Sequence, residues 1–492
     1  MVSTVFCIPR VRPDFLLSTV LMLPLSGCIS LPPPDSTPAV ELPSTYQVGS
    51  TALSEIPAAP NLPWRDYFTD LQLQRLIEQA LTTNRHLRSA LLRVEQARAL
   101  YGIQQSELLP TIGAEASSER SRVPSDLNAP GAPQVSNRYE VGVGFNHWEL
   151  DFWGRVRSLN EAALEEYLAT DEARRAVELS LIAQVANSYY LLLELDNRLQ
   201  LAHQTIASRE QSLLIFNRRV EVGAAAQLEL RQVEVLLHQA RALGAQLENA
   251  RAQQANALAL LLGSPAETAW QLPPLADSDE LFALPPGLPS ELLVNRPDIR
   301  AAEHALRAAN ANISAARAAF FPRIALTSSL GTASRDLDNL FSNDSRTWRF
   351  APTISLPIFT AGRLRASLNL AEVRREQAVV DYEQTVQEAF RDVADALAAE
   401  RWLVEEAQAA SDLLAAQRER ARLAQLRYDH GAVPYLEVLD AQRDLLDAEQ
   451  QQVQIRRKMI SARIALYAAL GGGEHQAAIE SARTHRSLVH SL

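Results

Sequence analysis

The chain has 492 residues, of which 47% are hydrophobic and 6% aromatic, and its formal net charge is −11. The negative charge and the lack of a basic patch interleaved with aromatic residues exclude a typical nucleic-acid binder. No apolar run approaches the ~20 residues of a membrane-spanning helix, and the composition, with 18 glycines, favours long helices over a β-rich globule.

The N-terminus carries an export signal that ends in a cysteine. Two arginines precede a short apolar core over residues 16–25. The core ends in Leu25-Ser26-Gly27-Cys28, which resembles the lipobox of bacterial lipoproteins; the alternative is an ordinary signal with a chance cysteine. The resemblance implies that Cys28 becomes the first mature residue and carries an N-acyl diglyceride. The other cysteine, Cys7, lies in the removed segment, so the mature chain would have no thiol for a disulfide, a metal or catalysis.

The first elements after the signal are a tether and two helices. Residues 28–65 are proline-rich and show no helical or strand period, which predicts an extended tether. Helical periodicity begins near Thr69-Asp70, where we expect the N-cap. A second helical run over 87–109 ends at Pro110, because proline cannot continue a helix.

Four segments alternate apolar and polar residues as strands do. They span residues 111–123, 137–150, 323–334 and 346–358. In the last segment one predicted face carries Trp348, Phe350, Ile354, Leu356 and Ile358. Each segment has the length of a tilted strand in an outer-membrane barrel, and four strands cannot close such a barrel alone. We therefore expect the chain to oligomerise; the alternative is a soluble four-stranded sheet.

Two glycine turns mark long helical hairpins. Helical runs flank Gly223 and Gly431, and a short link makes two long helices antiparallel neighbours. The turns align at a single offset (431 − 223 = 208). The same offset aligns Leu228 with Leu436 and Glu229 with Glu437. The sequence therefore predicts an internal duplication with one hairpin in each half.

The duplication and the composition of the flanking segments together predict six segments in chain order. They are a signal peptide (1–27), a tether (28–65), a first structural repeat (66–263), a connector (264–295), a second structural repeat (296–473) and a disordered polar tail (474–492).

The last helix carries two neighbouring apolar stripes with a seven-residue repeat. The first comprises Val438, Ala441, Leu445, Ala448, Ile455, Met459, Ala462, Leu466 and Ala469. Two adjacent stripes require neighbours on both sides, which predicts a closed ring or a wall of helices. The opposite face is polar and is expected to meet water or a wet lumen; it carries Gln442, Arg443, Glu449, Gln450 and Arg456.

These motifs together resemble the TolC-like outer-membrane efflux proteins. Residues 427–443 read RY-x-x-G-x-x-x-YL-x-x-LDAQR, as at the second coiled-coil tip of that family. Residues 222–232 read VG-x-x-x-x-L-x-LRQ, as at the first tip of its NodT-type lipoprotein branch, and the NRPDI-x-x-AE run over 295–303 fits as well. The sequence departs from the family at Ala226, where a capping Ser is usual, and at Glu229, where Asp is usual.

The resemblance implies a mainly α fold with a membrane β portion. A homotrimer would close a twelve-stranded outer-membrane β-barrel, continuous with a long periplasmic α-helical barrel. The chain would be a lipid-anchored protein in the outer membrane of a Gram-negative bacterium, a passive exit duct for drugs or other small molecules. Its implied partners are outer-membrane lipid, a periplasmic adaptor protein and an RND-type inner-membrane transporter that supplies the energy.

The resemblance also implies roles for individual residues. The adaptor would contact the hairpin tips at Gly223, Leu228, Glu229, Gly431, Leu436 and Glu437. The periplasmic gate would comprise Asp440, Arg427 and Tyr428. Because Arg427 precedes the Gly431 turn and Asp440 follows it, we expect the arginine to bridge to the aspartate and hold the gate narrow.

Catalytic and metal-binding patterns are absent from the sequence. The nine histidines are scattered, without HExxH or a Cys/His cluster. Gly142-Val143-Gly144 lies in a predicted strand and lacks the third glycine of a nucleotide fingerprint. We therefore expect no enzyme activity, cofactor or metal. Two other functions remain open: a duct for type I protein secretion, and a non-conducting periplasmic coiled-coil structural lipoprotein.

Overall fold

A computed structural model describes residues 62–124, 126–264 and 292–472. Cys28, the signal peptide, most of the tether and connector, and the C-terminal tail lie outside the described residues. The helices are α1 (Trp64–Tyr67), α2 (Leu71–Thr83), α3 (Arg85–Ser106), α4 (Arg155–Glu221), α5 (Gln227–Leu262), α6 (Leu292–Asn295), α7 (Pro297–Ala318), α8 (Arg363–Asp429) and α9 (Tyr435–Ala469). The strands are β1 (Gly113–Arg122), β2 (Val135–Leu150), β3 (Arg323–Ser334) and β4 (Arg346–Ser355).

Two compact units make up the chain. The first includes Ala99–Glu165 and Arg307–Gln377 and contains the four strands. The second includes Glu166–Leu306 and Ala378–Leu492, together with Pro38–Arg98, and is helical where it is described. The prediction of a mainly helical chain with a small antiparallel sheet is confirmed. The six predicted segment boundaries stay predictions.

The sheet of the first unit has the order β1-β2-β3-β4, with antiparallel neighbours throughout. Directly paired residues form a row across all four strands: Ala114, Val143, Leu330 and Trp348. The last three side chains are 53%, 69% and 76% exposed. Successive residues of a strand point to opposite faces, so one face of this sheet presents a continuous apolar row to its surroundings.

The strands depart from the predicted ones at two places. β4 ends at Ser355. The prediction that Leu356 and Ile358 continue its apolar face is therefore wrong. The intervening Pro357 has no N–H to donate to a ladder, which ends regular pairing there. In β2 the pairing with β3 shifts between Phe145 and Trp148, where His147 adopts a φ of 56°; an extra residue of this kind is a β-bulge.

The two long helices are equal in length. α4 and α8 each contain 67 residues, which corresponds to about 100 Å. Each follows a glycine with positive φ, Gly154 at 76° and Gly362 at 83°. At the start of α4, the Asp151 carboxylate accepts the backbone N–H groups of Val156 (3.1 Å) and Arg157 (2.8 Å).

The N-terminal segment packs into the core of the second unit. Asp70 caps α2 as predicted, because its carboxylate accepts from the backbone N–H groups of Gln72 (2.7 Å) and Leu73 (3.2 Å). The Tyr189 hydroxyl of α4 donates to the same carboxylate at 2.6 Å. Tyr67 stacks on Tyr467 of α9, with ring centroids 4.4 Å apart and planes 9° apart. The first described residues are therefore fixed to the long helices by polar and aromatic contacts.

One window of α4 is more apolar than predicted, since no apolar run of membrane-spanning length was expected in the chain. Among the described helices, α4 alone is long and apolar enough, by length and composition, to cross a membrane. Of this apolar window, 44% is buried inside the chain. The window therefore also fits a core helix of a protein interior.

Candidate functional site

The first hairpin tip joins α4 to α5 through Gly223. This glycine has a φ of 73°, and the next residue's backbone N–H donates to the Arg219 carbonyl at 2.7 Å, an arrangement that closes helix C-termini. Ala226 is the N-cap of α5 and has no side-chain acceptor. The Glu229 carboxylate instead accepts from the Ala226 backbone N–H at 3.1 Å. Glu229, which departs from the family pattern, thus satisfies the backbone at the position where the capping side chain is missing.

The second tip repeats this backbone geometry. Gly431 has a φ of 74°, and the N–H of Ala432 donates to the Arg427 carbonyl at 2.8 Å. A Cβ on Gly223 or Gly431 would meet nothing within 4 Å, so the glycine is required by its backbone angle alone. Pro434 is the N-cap of α9.

The tips expose apolar side chains to solvent. Leu228 is 69% exposed and Leu436 is 41% exposed. Beside the first of them, Val222 is 77% exposed. Exposed apolar residues at a loop tip, flanked by the charged Glu229 and Glu437, are suited to contact with another protein.

A set of contacts that we call the hairpin seam joins the two hairpins behind their tips. It comprises Ser212, Phe216 and Arg219 of α4, together with Tyr428 of α8 and Tyr435 of α9. The Ser212 and Tyr435 hydroxyls lie 2.9 Å apart. The Tyr435 ring centroid lies 4.5 Å from that of Phe216 and 4.9 Å from that of Tyr428. Arg219 donates a hydrogen bond to the Tyr428 hydroxyl.

Buried apolar residues support the seam from both sides. One cluster comprises Phe216, Leu230, Val233 and Leu439. A second comprises Ala424, Val438 and Ala441, with Tyr428 and Tyr435 packed against it. The first apolar stripe predicted on α9 is therefore buried at its beginning.

The predicted gate residues lie close together, but their pairing differs from the expected one. Arg427 donates to the Glu437 carboxylate at 2.9 Å. Asp440 pairs with Arg443 on its own helix at 3.2 Å. The expected bridge from Arg427 to Asp440 is therefore wrong within one chain. Glu437 lies about one helical turn nearer the tip than Asp440, which brings it level with the end of α8.

A further ion pair continues away from the tip along the same two helices. Arg420 of α8 donates to Asp444 of α9 at 2.6 Å. This hydrogen bond lowers the pKa of Asp444, and a second one from Arg443 adds to the effect. Arg418–Glu449 (3.6 Å) and Lys458–Glu406 (3.5 Å) follow farther from the tip, so charged pairs join the hairpin at several heights.

The prediction that Gln450 faces water is wrong. Gln450 is 7% exposed, its amide oxygen accepts from Arg198 Nε at 2.7 Å, and its amide N–H donates to the Arg198 carbonyl at 2.9 Å. The buried Glu194 carboxylate accepts from Arg198 (3.0 Å) and from Arg457 (2.8 Å). This polar cluster joins α4 to α9 well behind the seam. The seven-residue repeat places Gln450 on the polar face of α9, so periodicity alone could not reveal its burial.

Sequence reasoning also missed Arg209 of α4. Its side chain is 3% exposed and its Nη1 has no hydrogen-bond partner among the described residues. Its position three residues before Ser212 places it on the α4 face that forms the seam. Within the described residues, no group of three or more His, Cys, Asp or Glu side chains is arranged to hold a metal ion.

The fold and the tips together define a class of protein. Long paired helical hairpins and a small antiparallel sheet with an exposed apolar face are typical of a membrane channel with a helical extension. The sequence model of the outer membrane efflux protein family matches residues 76–264 and 288–472. The chain belongs to this family, and it is the outer-membrane component of an efflux pump.

Individual relatives agree with this assignment over nearly their whole length. The solvent efflux pump outer membrane protein SrpC of Pseudomonas putida is 45% identical over 461 residues, which cover 92% of this chain and 97% of the relative. The outer membrane protein OprJ of Pseudomonas aeruginosa is 42% identical over 465 residues, covering 94% and 96%. The Neisseria gonorrhoeae MtrE outer membrane channel, solved as a crystal structure of its open state, is 41% identical in sequence to this chain. The two structures match with a TM-score of 0.81 over 90% of this chain and 98% of the MtrE chain.

Proposed function

We propose that the chain forms the exit duct of a tripartite efflux system, a homotrimer that conducts small molecules passively from the periplasm to the exterior. The observation that carries this proposal is the exposed row of Ala114, Val143, Leu330 and Trp348 across the sheet. A soluble protein would bury such a row, whereas the lipid-facing side of a membrane barrel must be apolar.

The sheet edges support association into a trimer. β1 pairs only with β2, and β4 only with β3, among the described strands, so each outer edge keeps unpaired backbone groups. Such edges cannot face lipid, where no water satisfies them. Joining β4 of one copy to β1 of the next removes every edge. Three copies then give twelve strands, which is above the smallest number found in bacterial barrels.

The proposed solutes follow from the naming of a relative, and the proposed partners from the exposed hairpin tips. SrpC is named for solvent efflux, so small apolar molecules are the solutes that we propose for this chain. A periplasmic adaptor protein would dock on the exposed tips, at Gly223, Leu228, Glu229, Gly431, Leu436 and Glu437. An RND-type transporter in the inner membrane would supply the energy. The duct itself would need no cofactor, and an acylated Cys28 would add a lipid anchor.

The gate would lie at the seam end of the hairpins. Three copies of Asp440 around an axis would form an acidic ring, and rings of this kind favour cations. Arg427 and Tyr428 would hold the ring narrow through Glu437 and Arg219, their partners within the chain. Docking of the adaptor at the tips would rearrange these contacts.

Protein secretion is the less favoured function for the same duct. SrpC is named as part of a solvent efflux pump, and neither of the other two relatives described above is named for protein secretion. A non-conducting scaffold conflicts with membership of a family of efflux proteins.

Three measurements test the proposal together. Native mass spectrometry of the mature protein in detergent should give three chains, and the same preparation should conduct ions in planar bilayers. In cells lacking their own duct, expression of this chain with its pump should lower the accumulation of a small apolar dye. A stable monomer without conductance would contradict the proposed assembly. Full conductance without any effect on dye accumulation would contradict the proposed solutes.

A further inference from the structure

Arg209 occupies the same face of α4 as the hairpin seam. Residues 209, 212, 216 and 219 follow the three- and four-residue spacing that places side chains on one side of a helix. The last three of them contact Tyr428 or Tyr435. Arg209 therefore belongs to the surface of α4 that packs against the second hairpin.

The guanidinium of Arg209 is buried, and one of its nitrogens is unpaired. The residue is 3% exposed, and Nη1 has no hydrogen-bond partner within the described part of the chain. Burial lowers the pKa of Arg209, and Tyr435 partly opposes this shift. Arginine nevertheless keeps its charge at physiological pH, so the seam encloses a cation that makes no ion pair with the described residues.

Other buried cations of the same unit are paired. The side chain of Arg198 is 18% exposed and reaches Glu194 at 3.0 Å. Arg296 is 11% exposed at its side chain and reaches Asp298 at 2.6 Å. An unpaired buried charge is strongly unfavourable because its hydration is lost and nothing replaces it. Arg209 therefore opposes the packing that encloses it.

We propose that Arg209 biases the gate toward opening, as a charge that regains its hydration when the α8–α9 hairpin moves away from α4. The closed seam is held by the Ser212–Tyr435 hydroxyl contact and by the rings of Phe216 and Tyr435. Arg209 destabilises this closed state and leaves the separated state unaffected. Opening by the adaptor then requires less binding energy than it would with an apolar residue at this position. This inference rests on the proposed function, because it assigns a regulatory residue to the proposed gate.

Replacement of Arg209 by methionine tests the inference, because methionine retains a long side chain without the charge. Arg218→Met is the matched control, since Arg218 lies on the same helix and is exposed. Both substitutions are made in the mature trimer and in a Glu437→Gln background, in which the Arg427 pair is lost and openings are expected to be more frequent. Open probability in planar bilayers and the midpoint of thermal unfolding in detergent are measured for each.

Arg209→Met should lower open probability at least about fivefold and raise the thermal midpoint, whereas Arg218→Met should change neither. A lower midpoint for Arg209→Met would overturn the inference, because it would show that the arginine has a stabilising partner in the assembled protein. Unchanged open probability and midpoint would also overturn it. In either case, if the parent trimer conducts, the proposal that the chain forms a duct still stands. If the parent trimer never conducts, that proposal is contradicted, but the thermal midpoints still test the role of Arg209.

Discussion

The Arg427 guanidinium lies 2.9 Å from the Glu437 carboxylate, across the turn at Gly431. The two side chains are 57% and 39% exposed, and exposed pairs contribute only about 0–1 kcal/mol to stability. The position of the pair gives it significance, because it joins the last turn of α8 to the first turn of α9. In the proposed trimer the pair would occur three times around the gate.

Loss of this pair is expected to open the gate. Arg427→Ala and Glu437→Gln should each raise single-channel conductance by a similar amount, and the double variant should add little because both changes remove one interaction. Asp440→Asn should act separately and weaken cation preference, because it removes the proposed acidic ring. Arg422→Ala is the control, since Arg422 pairs with Glu419 on its own helix. Conductance and selectivity like those of the parent in all gate variants would place the constriction elsewhere.

Assembly of the sheet is expected to depend on Gly331. A Cβ at this position would lie 2.2 Å from the Val141 carbonyl oxygen and 2.6 Å from Gly142 Cα, so Gly331→Ala must separate β2 from β3. The variant should give much less folded trimer, measured as the heat-resistant oligomer in electrophoresis. Gly113→Ala is the matched control, because a Cβ there meets nothing within 4 Å. Equal yields of trimer from both variants would show that the strands do not pair in this register.

Alkaline pH is expected to destabilise the helical unit through Tyr67. Burial raises the pKa of Tyr67 above its ordinary value of 10, and its hydroxyl donates to the Arg463 carbonyl at 2.9 Å. Because the pKa in the folded state is the higher one, the stabilisation is complete below pH 10 and is lost as the pH rises above it, by up to about 1.4 kcal/mol per pH unit.

Tyr67→Phe separates this effect from the hydrogen bond. At pH 8 the variant should be less stable than the parent by about 1 kcal/mol, the typical value of one hydrogen bond. At pH 11 the difference should shrink or reverse, because phenylalanine cannot ionise. Thermal unfolding in detergent at both pH values measures the change. A difference that stays constant between pH 8 and pH 11 would mean that Tyr67 ionises equally in the folded and unfolded chain.

Local sequence signals were sufficient for the ends and turns of the helices. Asp70, Gly223 and Gly431 were found because capping and positive φ require particular residue types in the chain itself. The buried states of Gln450 and Arg209 were not found, since they arise where α4 packs against α9; Gln450 bonds to Arg198, which is 252 residues away.

The partner of Arg427 shows a second limit of sequence reasoning. Counting residues from a turn gives the height of a side chain along the hairpin at ~1.5 Å per residue. It does not give the direction in which the side chain points. Glu437 and Asp440 differ by less than 5 Å in height by this measure, and only the packing of α8 on α9 decides which of them meets Arg427.

Tyr435 is expected to hold the two hairpins together mainly through its ring. The ring lies 4.5 Å from Phe216 and 4.9 Å from Tyr428, and the hydroxyl lies 2.9 Å from that of Ser212. Tyr435→Phe keeps the ring and should cost about 1 kcal/mol of stability, as should Ser212→Ala. Tyr435→Ala removes the ring contacts of this half-buried side chain and should cost more, about 2–3 kcal/mol. Thermal unfolding and bilayer conductance should therefore rank the variants in one order, with the alanine variant least stable and most conductive.

The double variant Ser212→Ala with Tyr435→Phe should equal either single variant in stability and conductance, because both changes remove one hydroxyl contact. If Tyr435→Phe conducts as much as Tyr435→Ala, the hydroxyl contact rather than the aromatic packing keeps the hairpins closed.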